Sequence, residues 1–218
     1  MSDVIISVRG EHERRVAPEH GVVSLNVTAE GPDRSEVVGR VTALTEPLTA
    51  ALDAGRAEGR IVEWSSGRVT VWTERPWNDG QRLAPVHHAS VELSVTFDDA
   101  ALLSTWVTDT AERDGVQIAG VDWQLTPATR GAVERDVASE AVGVAVDRAT
   151  AYAAALGRGT VTPLEVADVG LLVTPDHADS PRMMRASFAV DESAGPALRL
   201  QPEDIVVSAA VEARFSAH

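Results

Sequence analysis

The chain has 218 residues, 44% hydrophobic and 24% charged, which is the composition of a globular protein able to bury a core without covalent staples. It contains no cysteine, and this excludes disulfides, thiolate metal sites and thiol catalysis. Its 33 acidic residues against 19 basic ones give a formal net charge of -14, a surface that repels nucleic-acid backbones and anionic membranes. All 19 basic residues are Arg, so Schiff-base lysines and the P-loop lysine are excluded as well.

Residues 4–8 form a short β-rich run, and 21–29 alternate Val23, Leu25 and Val27 with Ser24, Asn26 and Thr28, the period of a half-buried strand. These two are expected to pair with each other, with Glu11-His12-Glu13 as a solvated turn between them. Val37, Val41, Leu44, Leu48 and Leu52 then recur at three- and four-residue steps and mark a helix capped by Asp33 or Ser35. Pro47 falls inside that pattern and predicts a kink or break. Residues 60–74 and 86–97 return to alternation around a turn at 75–80, and read as a long hairpin.

Asp98-Asp99 opens a second helix whose buried side is Leu102, Leu103, Trp106, Val107 and Thr110, stopped by Gly115 before a strand at 116–125. Val133, Val137, Ala141, Val144, Ala145, Ala149, Tyr152 and Leu156 define the third helix, with Gly157 and Gly159 just past its end. Two final strands are expected at 161–173 and 205–215. Residues 174–203, rich in Pro and polar side chains, are expected to be a long mobile loop between them. The order of elements predicts a single α+β domain over residues 1–218, with mostly antiparallel sheet and helices packed on one side.

No pattern in the chain carries recognisable chemistry. His87 and His88 are adjacent on a strand and so point to opposite faces, unsuited to one metal, and His12, His20, His177 and His218 are scattered. No G-x-S-x-G, G-x-G-x-x-G or P-loop pattern occurs, so no catalytic residue, cofactor or metal is expected. Trp64, Trp72, Trp77, Trp106 and Trp123 outnumber Phe and Tyr together, and Trp77 in the hairpin turn is the best candidate for an interface. No basic leader precedes an apolar stretch at the N-terminus, and no run approaches the ~18 apolar residues of a membrane helix. A cytoplasmic protein without membrane insertion is the expectation.

Pro181-Arg182-Met183-Met184-Arg185-Ala186, followed by Pro202-Glu203-Asp204-Ile205-Val206-Val207-Ser208-Ala209-Ala210-Val211, resembles the ending of the SIMPL-domain family. There a Met- and Arg-rich loop precedes a strand of the form P-x-D/E-I/L/V-x-V-S-A-x-V. Ile6-Ser7-Val8-Arg9-Gly10, with Ala17-Pro18-Glu19, is similar to the family's opening I-x-V-x-G-x-G and A-P-D, although the second glycine is missing here.

The resemblance implies an α+β fold and oligomers in some members, including ring-like assemblies. It also implies links to oxidative-stress defence or periplasmic antigens in bacteria, and a kinase-associated adaptor in animals. It supplies no catalytic residues. The expected function is therefore a non-enzymatic protein that forms homo-oligomers or binds a protein partner, with Trp77, Met183 and Met184 as the interaction surface and no nucleic acid involved. The competing expectation is a small-ligand binder or enzyme using a cleft between sheet and helices, with Arg68, His87 or His88 as its polar groups.

Overall fold

A computed structural model describes residues 3–78, 80–172 and 200–218. Along the chain these form β1 (Val4–Val16), β2 (His20–Gly31), α1 (Arg34–Ala57), β3 (Glu63–Glu74), β4 (Trp77–Asn78) and β5 (Gln81–Arg82). There follow β6 (Val86–Phe97), α2 (Ala100–Ala111), β7 (Val116–Gln124), α3 (Pro127–Ala155), β8 (Val161–Asp168) and β9 (Ile205–Ala217). Every strand pair is antiparallel among the described residues, as the α+β expectation required. Two compact units result, one from residues 3–16, 126–172 and 204–218 and the other from 17–125 with 200–203.

In the first unit the strands run in the order β1-β9-β8, and β1 meets β9 residue for residue from Val4↔Ala217 to Val16↔Ile205. Helix α3 packs on β1 and β9 through a stripe spaced by four: Val133, Val137, Ala141, Ala145, Ala149 and Ala153, all buried. Thr126 caps its first turn ahead of Pro127, and Gly157 follows its end at φ +71°. The small side chains let the helix approach closely. A Cβ on Gly10 would fall on the Ala141 carbonyl oxygen and 2.7 Å from the Ala145 nitrogen, so the glycine of the opening motif holds the helix-to-sheet distance.

This unit corrects two expectations. Strand β1 pairs with β9, not β2, and it runs through Glu11-His12-Glu13, which is strand rather than turn. The alternation is carried there by charge instead of apolar content. Arg9, Glu11, Glu13 and Arg15 are exposed on one face, while Ile6 and Gly10 are buried on the other. At the other end β8 stops at Asp168 instead of Val173, because the chain turns at Gly170, where φ is +86°.

In the second unit the sheet order is β3-β6-β2-β7. Its core gathers Val23, Leu25 and Val27 of β2 with Leu93 and Val95 of β6, against Val37, Val41, Leu48 and Leu52 of α1 and Leu103 and Val107 of α2. Helix α1 continues through Pro47 without a break. Both Pro47 and Ala43, whose carbonyl would have accepted the missing N–H, are exposed, so water can replace the lost bond. The predicted hairpin is present, with β3 against β6 from Glu63↔Thr96 to Glu74↔Val86. At its tip the predicted turn holds a small ladder of its own, Trp77↔Arg82 and Asn78↔Gln81.

Candidate functional site

Strand β3 is an edge strand, hydrogen-bonded only to β6 among the described residues. An unpaired row of backbone N–H and C=O groups invites another strand, and proteins blunt such edges with charge, proline or bulges. The other edges carry those devices. β1 has Arg9, Glu11, Glu13, Arg14 and Arg15, and β8 has Pro163, Glu165 and Asp168. The pairing of β7 shifts register between Ser24 and Leu25, a bulge at Ala119.

β3 has a bulge as well, where its register shifts between Ser66 and Val69, but the run 69–73 beyond it lacks charge, proline and bulge. Val69-Thr70-Val71-Trp72-Thr73 is uncharged, β-branched or aromatic throughout, and in continuous register with β6. Val69 is 65% exposed and Trp72 42%. Beyond it, Trp77 is 63% exposed with the Arg82 guanidinium 5.4 Å from its ring centre, and Leu83 is exposed too. Arg68 and Glu74 bracket the run, and both are exposed.

The opposite lip of the hairpin adjoins a cavity of about 620 Å³, lined in part by Trp72, His88, Glu30, Arg40, Leu44 and Asp114. His88 stacks on Trp72, its cross-strand partner, with ring centres 5.0 Å apart and planes 11° from parallel. Its Nδ1 is 3.5 Å from a Glu30 oxygen and its Nε2 is 3.8 Å from a Glu74 oxygen. Nε2 is shut off from solvent and makes no hydrogen bond among the described residues. Imidazole and indole thus form a parallel two-ring stack edged by two carboxylates. His87 points to the other face, as adjacent strand residues must, and its Nδ1 lies 2.8 Å from the Thr73 hydroxyl. The structure therefore brings His88 to the cavity but not His87 or Arg68.

The remaining sequence candidates are structural. Asp99 accepts from the backbone N–H groups of Ala101 and Leu102 at 2.7 and 3.0 Å, capping α2. Asp33 caps α1 in the same way, and hydrogen bonds from the Ser35 hydroxyl and then the Glu36 and Ser35 amides hold its carboxyl below the ordinary carboxylate value. His218 Nδ1 meets Asp3 at 3.2 Å. Trp64 donates to Asp53 at 3.0 Å, and Trp64, Trp106 and Trp123 are partly buried against the core. Met183, Met184 and His177 lie outside the described residues. Among the described residues no three His, Asp or Glu side chains gather as a metal-ligand set, and no helix is long and apolar enough to cross a membrane.

An antiparallel α+β chain with a strand edge open among the described residues is the class that these features define. The model of the SIMPL family, described as a protein of unknown function (DUF541), matches residues 6–215, and the chain belongs to that family. No curated protein matches the chain. The family's ending now has a structural meaning. Ile205 to Val211 open β9, the central strand of the first unit's sheet, and pair with β1 throughout, with pairing to β8 beginning at Val211.

Proposed function

We propose that this protein works by association rather than catalysis, and that its hairpin, β3 with the Trp77 tip, takes a second copy of the chain by strand addition. The observation that carries this reading is the uncharged run 69–73, exposed except for the half-buried Val71 and in continuous register beyond the β3 bulge between Ser66 and Val69. The strongly negative net charge favours a built interface over indiscriminate sticking, since like-charged copies repel unless paired contacts outweigh the repulsion.

Amide exchange tests it. The outward-facing N–H groups of β3 are expected to gain protection as protein concentration rises, and Val69→Lys with Thr70→Lys is expected to abolish that gain while leaving β2 protected. Equal exchange of β3 at all concentrations would remove the reading. A stress-linked role in a cytoplasmic setting belongs to the same proposal, by family resemblance. A deletion strain as peroxide-resistant as its parent would strip that part away.

The cavity beside the Trp72–His88 stack favours a second reading, a small-ligand binder, since its volume is in the range of such sites. A saturable rise in melting temperature with a small molecule, lost in Trp72→Ala and His88→Ala, is the expected signature.

A further inference from the structure

We infer that the two copies join through β3 in one register, antiparallel about a two-fold axis at Val71, with Arg68 of each copy opposite Glu74 of the other. The inference rests on the self-association proposed above and names its geometry. In an antiparallel pair around that axis each residue faces the one equally far beyond Val71. Val69 then meets Thr73 of the second copy, Thr70 meets Trp72, and Val71 meets its own counterpart. These are β-branched and aromatic pairs of the kind that stabilise sheets. Arg68, at the β3 bulge between Ser66 and Val69, and Glu74 are each three residues from Val71, so opposite charges close both ends of the run.

Both charges are available for this. Arg68 is exposed and has no ion pair among the described residues, and the Glu74 side chain is 63% exposed at 3.8 Å from His88.

Neighbouring registers are worse for stated reasons. Moving the axis to Thr70 sets Arg68 against Trp72 and Glu74 against Ser66. Moving it to Trp72 sets Arg68 against Pro76 and Glu74 against Thr70. Sliding one copy by a single residue sets Arg68 against Arg75 or Thr73, and it also turns the helix-bearing faces of the two copies to opposite sides of the joined sheet. With the axis at Val71, residues of like parity pair, so α1 and α2 of both copies lie on the same side. Two four-stranded sheets become one of eight strands, and the open edge is removed.

The absence of native cysteine makes the register directly readable. Val71→Cys places two thiols across the axis, where opposed Cα atoms are about 4.5–5.5 Å apart and a disulfide fits. Mild oxidation is expected to give a covalent dimer on a non-reducing gel. Val69→Cys alone puts its thiols about 13 Å apart along the strands and is expected to stay uncrosslinked. Val69→Cys with Thr73→Cys is expected to crosslink, which keeps the test alive if Val71→Cys folds poorly. Arg68→Glu is expected to weaken dimerisation roughly tenfold, and adding Glu74→Arg to restore it.

If the unmodified protein associates by light scattering but Val69→Cys crosslinks as well as Val71→Cys, or neither crosslinks, the register is wrong and strand addition stands. If the unmodified protein is monomeric throughout, strand addition itself fails and the register with it.

Discussion

Strands β2 and β3 belong to one sheet and have 12 residues each, and apolar residues alternate along 23–27 of β2 and again at Val69 and Val71 of β3, yet their environments are opposite. β2 has β6 and β7 as neighbours and its alternate residues from Gly21 to Ala29 are buried. Among the described residues β3 has one neighbour, and no residue of it is fully buried. Apolar alternation therefore records that a strand exists, not whether its surface is already satisfied. In β2 the pattern is used up by the fold. In β3 only Trp64 and Val71 pack partly on the core, and Val69 and Trp72 are left exposed, the surface on which the proposed association draws.

Substitutions in the two strands are expected to separate stability from association. Leu25→Ala in β2 removes a fully buried side chain and is expected to cost about 3 kcal/mol, read as a lower urea midpoint. Val69→Ala in β3 is expected to change stability by less than about 0.5 kcal/mol while lowering the assembled fraction. Equal stability losses would erase the distinction.

The edge strand β1 sharpens the comparison, because its inner face is filled. Gly10→Val is expected to cost at least about 2 kcal/mol by forcing α3 off the sheet, measured by thermal melting.

Smaller effects follow from the caps. Asp99→Ala is expected to cost about 1 kcal/mol through two lost amide bonds, with no change in assembly. Asp33 gives the smallest effect, visible only against pH. Its carboxyl is depressed in the folded chain, so its contribution is present above the unfolded value and is lost as pH falls through the lower folded one. The melting temperature is expected to fall below about pH 4, and less steeply in Asp33→Asn. A variant with the same acid slope as the parent would show that Asp33 contributes nothing there.

The features legible in the sequence were the local ones. The buried stripes of α1 and α3 follow from helical spacing, except that Tyr152 and Leu156 at the end of the α3 pattern are exposed and Ala153 is buried; Asp33 and Asp99 follow from capping chemistry, and the hairpin from two alternating runs around a turn. What failed was long-range. Val4 and its partner Ala217 are at opposite ends of the chain, and nothing in the local pattern of β1 distinguishes β9 from β2 as its neighbour.

The candidate site was half legible for the same reason. Trp77 stood out as an aromatic residue in a turn, and His87-His88 as a pair that must split across two faces. That His88 stacks on Trp72 and lies between Glu30 and Glu74 depends on the registers of β6 with β2 and β3, which only pairing fixes. The run 69–73 was visible as letters, but its meaning depends on β3 being an edge, a property of topology.

The most direct measurement is the absolute mass of the native protein by light scattering across a concentration series, beside Val69→Lys with Thr70→Lys. Association through β3 requires a multiple of 23.1 kDa for the native chain and a monomer for the variant, with both equally folded. A native monomer at every concentration, or a variant that assembles as the native chain does, would contradict it.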